Sequence, residues 1–249
     1  ILIVGDSCED VFIYGNIFRM SPEAPVPVFQ PIKKTSNGGM SKNVYNNLIA
    51  LGVSSNLITN TEKIVKRRYV DDAHNQMVLR VDTNDVCEEI DEITRMHICN
   101  NQYQDKTYDA IVISDYCKGF LSKTDIELLC KSNKNVFVDT KKDLGDWIFK
   151  ADFIKINDLE HRENLKFISV NSDKLKDKLI VTRGKHGCEF NNKIFGAEEV
   201  VVRDVSGAGD TFLAGLVIEY LKTNDIIKAI NFAQDCTKIV VQKHGVSTI

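Results

Sequence analysis

Five short apolar runs, each stopping at a polar residue or a glycine, constrain this chain more than any other feature. They are ILIVGD (1–6), DAIVISD (109–115), NVFVDT (135–140), DFIKIND (152–158) and KLIVTRG (178–184). Runs that are mostly apolar and rich in β-branched residues suit strands buried on both faces of a parallel sheet. Helical patterns lie between several of them. Met40, Val44, Leu48 and Leu51 share one face, and residues 121–130 form another candidate helix. Phe212, Leu213, Leu216, Val217, Tyr220 and Leu221 make an apolar stripe, followed by Ile226, Ile230, Ala233 and Thr237 on the next helix. Strands alternating with helices predict an α/β fold, a mostly parallel central sheet flanked by helices.

Two stretches break that rhythm. APVPVFQPI (24–32) is extended and proline-rich, which suits an edge strand. KRRYVDDAHNQMVLRVD (66–82) has strand-like ends with no helix between them. With DVFIYG they predict a small β-sheet lid, built from insertions at about 11–34 and 66–82 in one domain that spans 1–249.

A net charge of −3, without a basic stripe, argues against a nucleic-acid partner. No apolar run approaches membrane-spanning length. The seven cysteines are widely spaced and lack a C-x-x-C pair, which speaks against a disulfide framework or a zinc site. Reduced thiols in apolar stretches point to a cytoplasmic location.

Ligands of open α/β sheets bind at the carboxyl ends of the strands. Asp6, Asp10, Asp115, Asp139, Lys141, Asn157, Glu160, Thr182 and Arg183 are therefore candidates, although a strand end is also polar simply because it meets water. RDVSGAGDTFLAGL (203–216) sets Gly207, Ala208 and Gly209 before Asp210 at the mouth of a helix. Free amides and the helix dipole make an anion site there. A carboxylate beside an anion site is a contradiction unless it works as a proton acceptor. In that case Asp210 takes a hydroxyl proton while the amides of Gly207, Ala208 and Gly209 steady phosphoryl charge. The alternative is a plain loop with an acidic helix start. G-x-x-x-x-G-K-[ST] is absent, so the phosphate cradle is not a P-loop. SNGGMSKN places Gly38 and Gly39 before a second helix with Asn43 in its first turn, either a polar-ligand site or a flexible lead-in.

Taken together, DVSGAGDTFLAGL, NGGMSKNV and NDLE (157–160) resemble the C-terminal, Gly-Gly and N-x-x-E signatures of the ribokinase-like (PfkB) carbohydrate kinases, and the likeness runs along nearly the whole chain. RMSPEAPVPV, HNQMVLRVD, SDYCKGFL and FAQDCTKIVVQKHGVSTI resemble that family's D-glycero-D-manno-heptose 7-phosphate kinases, which phosphorylate the C1 hydroxyl to give heptose 1,7-bisphosphate for nucleotide-activated heptose and surface glycans. The resemblance implies Asp210 as base and Gly207, Ala208 and Gly209 as anion hole. It implies Asp10, Gly38, Gly39 and Asn43 around the sugar, with His74 turned toward lid or sugar. Asn157 and Glu160 would organise Mg²⁺ and phosphate, Glu160 through water. Thr182 and Gly184 would line the ATP site, with Gln234 and Gly245 near the adenine. Asp115, Lys118 and Lys141 would face the cleft, either lysine binding a phosphate. A monovalent cation and a homodimer through the lid are further implications.

The chain departs from the pattern in places. A helix–strand unit expected after residues 57–59 is missing, which leaves a sheet edge open or covered by a partner. Gln234 replaces Asn, Ser206 replaces Thr, and Lys42 replaces a small residue where it can alter the sugar pocket. The nucleotidyltransferase unit fused to some relatives is absent from this sequence, so kinase chemistry alone is expected. Another sugar kinase of the same fold, or a non-catalytic sugar- or nucleotide-binding relative, are the alternatives. Tyr116 can pack near substrate or in the core. His97, His161, His186 and His244 read as surface or structural residues.

Overall fold

The computed structural model describes residues 1–249 except Gln102, Asp105 and His244, so the reading of His244 lies outside the described residues. In chain order the elements are β1 (Leu2–Gly5), β2 (Ser7–Met20), β3 (Pro27–Met40), α1 (Ser41–Ala50), β4 (Asn56–Ile58), β5 (Val65–Asp71), β6 (Gln76–Thr83) and α2 (Glu92–Cys99). They continue with β7 (Ile111–Asp115), α3 (Lys123–Ser132), β8 (Val136–Thr140), β9 (Phe153–Asn157), α4 (Asp158–Glu163), α5 (Leu165–Val170), α6 (Ser172–Leu175) and β10 (Leu179–Thr182). The chain closes with β11 (Cys188–Phe190), β12 (Lys193–Phe195), α7 (Ala208–Thr223) and α8 (Ile226–Val240).

The five apolar runs became β1, β7, β8, β9 and β10, joined side by side in parallel within an eight-stranded sheet of order β12-β11-β10-β9-β8-β7-β1-β4. β11 and β12 add antiparallel strands at one end. Alternation along each strand feeds two cores. Leu2, Val4, Ile111, Ile113, Val136 and Val138 pack toward α2 and α3. Ile1, Ile3, Val112 and Phe137 pack toward α1, α7 and α8. A helix on each face keeps water from both sides of the strands, so runs this apolar are stable there. β4 ends the sheet, as the missing helix–strand unit required.

The lid is a separate four-stranded sheet, β3-β2-β5-β6. Its strands run past the bounds expected from sequence: β3 carries Gly38 and Gly39 in extended backbone up to Met40, instead of ending in a loop. Paired register puts Asp10, Lys66 and Asp82 in one row and Phe12, Arg68 and Arg80 in the next, all on the face turned toward the large sheet. The opposite face carries Tyr69, Leu79 and Val81, with Phe29 set edge-on to Tyr69 at 5.5 Å.

Among the described residues no helix is long and apolar enough to cross a membrane. All seven cysteines are free thiols.

Candidate active site

Asp210 lies in the first turn of α7 and is 4% exposed. Gly207 caps that helix with φ 79°, a left-handed conformation that favours glycine. A Cβ there would also come within 2.5 Å of the Asn43 amide nitrogen. Of the amides at the helix mouth, Ala208 donates to Val205 O at 3.2 Å and Thr211 donates to Gly207 O at 3.0 Å. The N–H groups of Gly207, Gly209 and Asp210 have no acceptor among the described residues. The structure thus keeps Gly207 and Gly209 available to an anion, turns Ala208 into a local turn, and makes the Asp210 amide the third free donor.

The carboxylate of Asp210 is held from two directions. The Tyr116 hydroxyl donates to Oδ1 at 2.6 Å, and Asn43 donates to Oδ2 at 2.9 Å. Burial pushes the carboxyl up to about 6, and the bonds from Tyr116 and Asn43 restrain that rise. A carboxyl that titrates there is ionised at neutral pH yet basic enough to accept a proton. Lys155, on β9, sits beneath the loop: its Nζ is 2.9 Å from where a Cβ on Gly209 would lie. It pairs with buried Asp139 at 2.7 Å, whose other oxygen has no partner among the described residues.

The N-x-x-E motif forms a capping box on α4. Asn157 Oδ1 accepts from the Glu160 amide at 2.9 Å, and Glu160 Oε2 accepts from the Asn157 amide at 2.8 Å. Glu160 Oε1 accepts from the Asn157 side chain at 2.7 Å and pairs with Lys141. Burial works against the Lys141 charge, but Asp139 and Glu160 outweigh it and hold the ammonium more firmly than usual.

On the lid, Arg68 pairs with Asp10 and Arg80 makes a two-pronged bond to Asp82 at 2.8 and 2.7 Å; beside them, Lys118 of the loop after β7 pairs with Asp85 at 2.5 Å. Lys66 stands among them, 7% exposed, with no hydrogen bond or ion pair among the described residues. Burial lowers its pKa, Lys118 and Arg80 add to that, and Cys8 and Asp10 oppose it. Four cations thus face three carboxylates, and the unmatched ammonium is 5.7 Å from the Tyr116 ring.

The remaining predicted residues divide. Asp10 lies against Gly39, where a Cβ would collide with it. A cavity of about 660 Å³ opens between the lid, α1 and the C-terminal loop, and its lining includes Lys33, Asn37, Gly38, Asn43, Asn46 and Ser247. Lys42 is outside that lining; its stem packs on Gly38 and its ammonium lies 4.6 Å from the Tyr45 ring centroid. His74 sits in the β5–β6 turn, 79% exposed at its side chain and bonded to Asp71. Asp115 is buried and accepts from Lys142 at 2.8 Å, Thr140 and the Cys117 amide; it ties two loops together instead of facing the cleft. Asp6 likewise accepts from the Tyr116 and Phe120 amides.

Thr182 ends β10 and bonds Ile156 O at 3.3 Å, and Gly184 has open space where a Cβ would be. With its amide group turned over, Gln234 donates to Phe195 O and Gly196 O at 3.3 and 3.2 Å. The Gly245 amide donates to Asp204, and its Cα faces Phe12 and Tyr14 of the lid. Arg183 pairs with Asp158 and Glu189. His161, His97 and His186 contribute nothing to this cluster. Lys66, Arg68, Arg80 and Lys155 were not singled out in the sequence. The alternation of charge in KRRYV and VLRVD was the available signal.

The pfkB family carbohydrate kinase model matches residues 73–249. The chain belongs to that family. It is 31% identical to the Bifunctional protein HldE of a Nitratiruptor species over its whole length, and spans 62% of that protein. Among solved structures, phosphofructokinase-2 from Escherichia coli in complex with potassium superposes with TM-score 0.72 at 13% identity, covering 99% of this chain and 94% of that one. Arabidopsis thaliana ribokinase complexed with ribose and ATP superposes with TM-score 0.68 at 14% identity, covering 98% and 93%. At such identities the superpositions speak for the ribokinase-like fold: a mostly parallel sheet with helices and a smaller separate sheet.

Proposed function

We propose that this chain transfers the γ-phosphoryl group of ATP to the C1 hydroxyl of D-glycero-D-manno-heptose 7-phosphate, giving heptose 1,7-bisphosphate. The observation that carries the reading is Lys66, a buried ammonium with no ion pair among the described residues, gathered with Arg68, Arg80 and Lys118. Holding an unmatched cation out of water is costly unless an anionic ligand completes the site. A sugar that already bears a phosphate supplies that anion, whereas ribose or an unphosphorylated hexose does not. Arg80 and Lys118 lie in two of the stretches, HNQMVLRVD and SDYCKGFL, that resemble the heptose 7-phosphate kinases.

Asp210 removes the proton from the sugar hydroxyl as its oxygen attacks the γ-phosphorus. The amides of Gly207, Gly209 and Asp210 receive the charge that gathers on the transferring group, and Lys155 adds a cation beneath them. Glu160, Asn157 and the unpartnered oxygen of Asp139 suit a hard, largely hydrated ion, so these residues would hold Mg²⁺, which neutralises phosphate charge when bound. Thr182, Gly184 and Gln234 lie on the β10–α8 side, where the nucleotide is assigned. Closure of the lid over the sugar excludes water that would otherwise take the phosphoryl group.

The apolar outer face of the lid, with Leu79 54% and Val81 38% exposed, supports pairing with a second copy. Light scattering showing only monomer would remove that part of the reading. The catalytic reading is tested by ADP release from Mg-ATP with D-glycero-D-manno-heptose 7-phosphate, fructose 6-phosphate, sedoheptulose 7-phosphate and ribose. Turnover on the heptose alone supports it. Turnover on ribose as fast as on the phosphorylated sugars would overturn the role given to Lys66. ATP binding without turnover on any sugar would favour a binding protein on a kinase scaffold.

A further inference from the structure

We infer that Tyr116 is a positioning residue for the base: its hydroxyl orients the Asp210 carboxylate toward the sugar and keeps it ready to accept a proton. Three observations carry this. The phenol donates to Asp210 Oδ1 at 2.6 Å while Asn43 takes Oδ2, so both oxygens are fixed and each retains a lone pair for substrate. The main chain of Tyr116 is fixed as well, its amide donating to fully buried Asp6 at 2.6 Å. The ring packs against Cys8, Met40 and Ile64 at the junction of lid and sheet, with Lys66 and Lys141 at 5.7 and 5.3 Å from its centroid. Tyr116 therefore stands between the base and the lid cations, where a tyrosine placed only for packing would need no carboxylate partner.

The groups around Asp210 come from every neighbouring element. Asn43 approaches from α1, Tyr116 from the loop after β7, Asp139 from β8, Lys155 from β9 and Cys8 from β2, with Lys141 beyond β8. Among the described residues, Tyr116 and Asn43 are the two whose side chains hydrogen-bond it. Burial and the Asp210 charge push the Tyr116 phenol well above its ordinary value, so it remains a donor throughout the working range. A donor to a carboxylate favours its ionised form. Without it, Asp210 holds its proton to higher pH and fewer molecules have a free base.

The inference rests on Asp210 being the base, and the test separates the two. The kcat/KM of Tyr116→Phe for the sugar phosphate is measured from pH 5 to 9 beside the unchanged protein and a form carrying a fluorinated tyrosine at 116, whose phenol is a stronger donor. The acid limb is expected to rise by about 1 pH unit in Tyr116→Phe, about a tenfold loss below the limb that shrinks above it, with the KM for ATP unmoved. The fluorinated form shifts the limb the other way. A loss of equal size at every pH, or no loss, would overturn the proposal. Carbon-13 NMR of Asp-labelled protein, with the Asp210 signal assigned by its absence in Asp210→Asn, follows the same titration without turnover. A higher midpoint in Tyr116→Phe supports the positioning role even if no sugar is phosphorylated, in which case the kinase reading alone falls. An unmoved midpoint sinks the inference even if the kinase reading stands.

Discussion

Replacing Asp210 by Asn should stabilise the fold while removing turnover, and the size of the gain follows from the site. Burial raises this carboxyl from 3.8 to about 6. A shift of about 2 units means that the ionised group costs about 3 kcal/mol at pH 8. The amide carries no such cost. It does create a mismatch, since Asn43 donates to the carboxylate and one half of the new amide is also a donor. Turning Asn43 over would break the bond that Asn47 makes to its oxygen, a loss of about 1 kcal/mol. The net expectation is about 2 kcal/mol, or roughly 4–8 °C in Tm for a chain of this size. The sign depends on pH. A raised carboxyl adds stability below its unfolded value and loses it as pH rises through about 6. The variant should therefore lead at pH 8, lose its lead between about 6 and 4, and trail below that. Thermal unfolding followed by circular dichroism at pH 8, 6 and 4 reads the difference between the two proteins, in which all other titrating groups cancel. A gap that does not change with pH would refute the burial argument. Turnover should fall by about 10²–10⁴-fold with ATP affinity unchanged; retained turnover would remove Asp210 from the mechanism.

Three further outcomes are expected. Lys66→Met should raise the KM for the sugar phosphate about tenfold or more, leave the KM for ATP unchanged and not lower Tm at pH 8, because the lost cation makes no ion pair among the described residues; an unchanged sugar KM counts against the lid cradle. Gly207→Ala should lose both activity and about 1–3 kcal/mol, since φ 79° is strained for alanine and its methyl meets Asn43, as chemical denaturation would show. Lys155→Met should cost about 3–5 kcal/mol by leaving Asp139 buried without its cation, and Asp139→Asn in the same chain should restore much of it.

The parts of the site legible in the sequence were those made by contiguous backbone. SGAGD and NDLE each build their feature locally, one a helix mouth with free amides and the other a capping box, so a short stretch of chain is enough to recognise them. Asn43 was expected at the sugar, and the fold gives it a contact to Asp210, 167 positions away in the chain. Asp115 illustrates the opposite failure. Its place at a strand end suggested the cleft, yet Lys142 and Thr140 claim it for the loops, and no pattern within the β7 run foretells which neighbour arrives. His74 was read from a segment likeness, but a tight turn throws it outward onto Asp71. The short helices α4, α5 and α6 carry too few turns for a clear apolar period and were not foreseen.

The sequence by itself determined the large sheet, because unbroken apolar runs have no stable place except between two layers of helices. It also marked the helix mouth, because SGAGD sets glycines directly before a carboxylate at a helix start. Tertiary structure alone decided the rest. Pairing β5 with β2 and β6 set Lys66, Arg68 and Arg80 on one inward face. Bringing α1, the loop after β7 and α7 to one point put Asn43 and Tyr116 on the same carboxylate. Those contacts join residues far apart in the chain, and their energies depend on burial and distance, quantities that no local pattern contains.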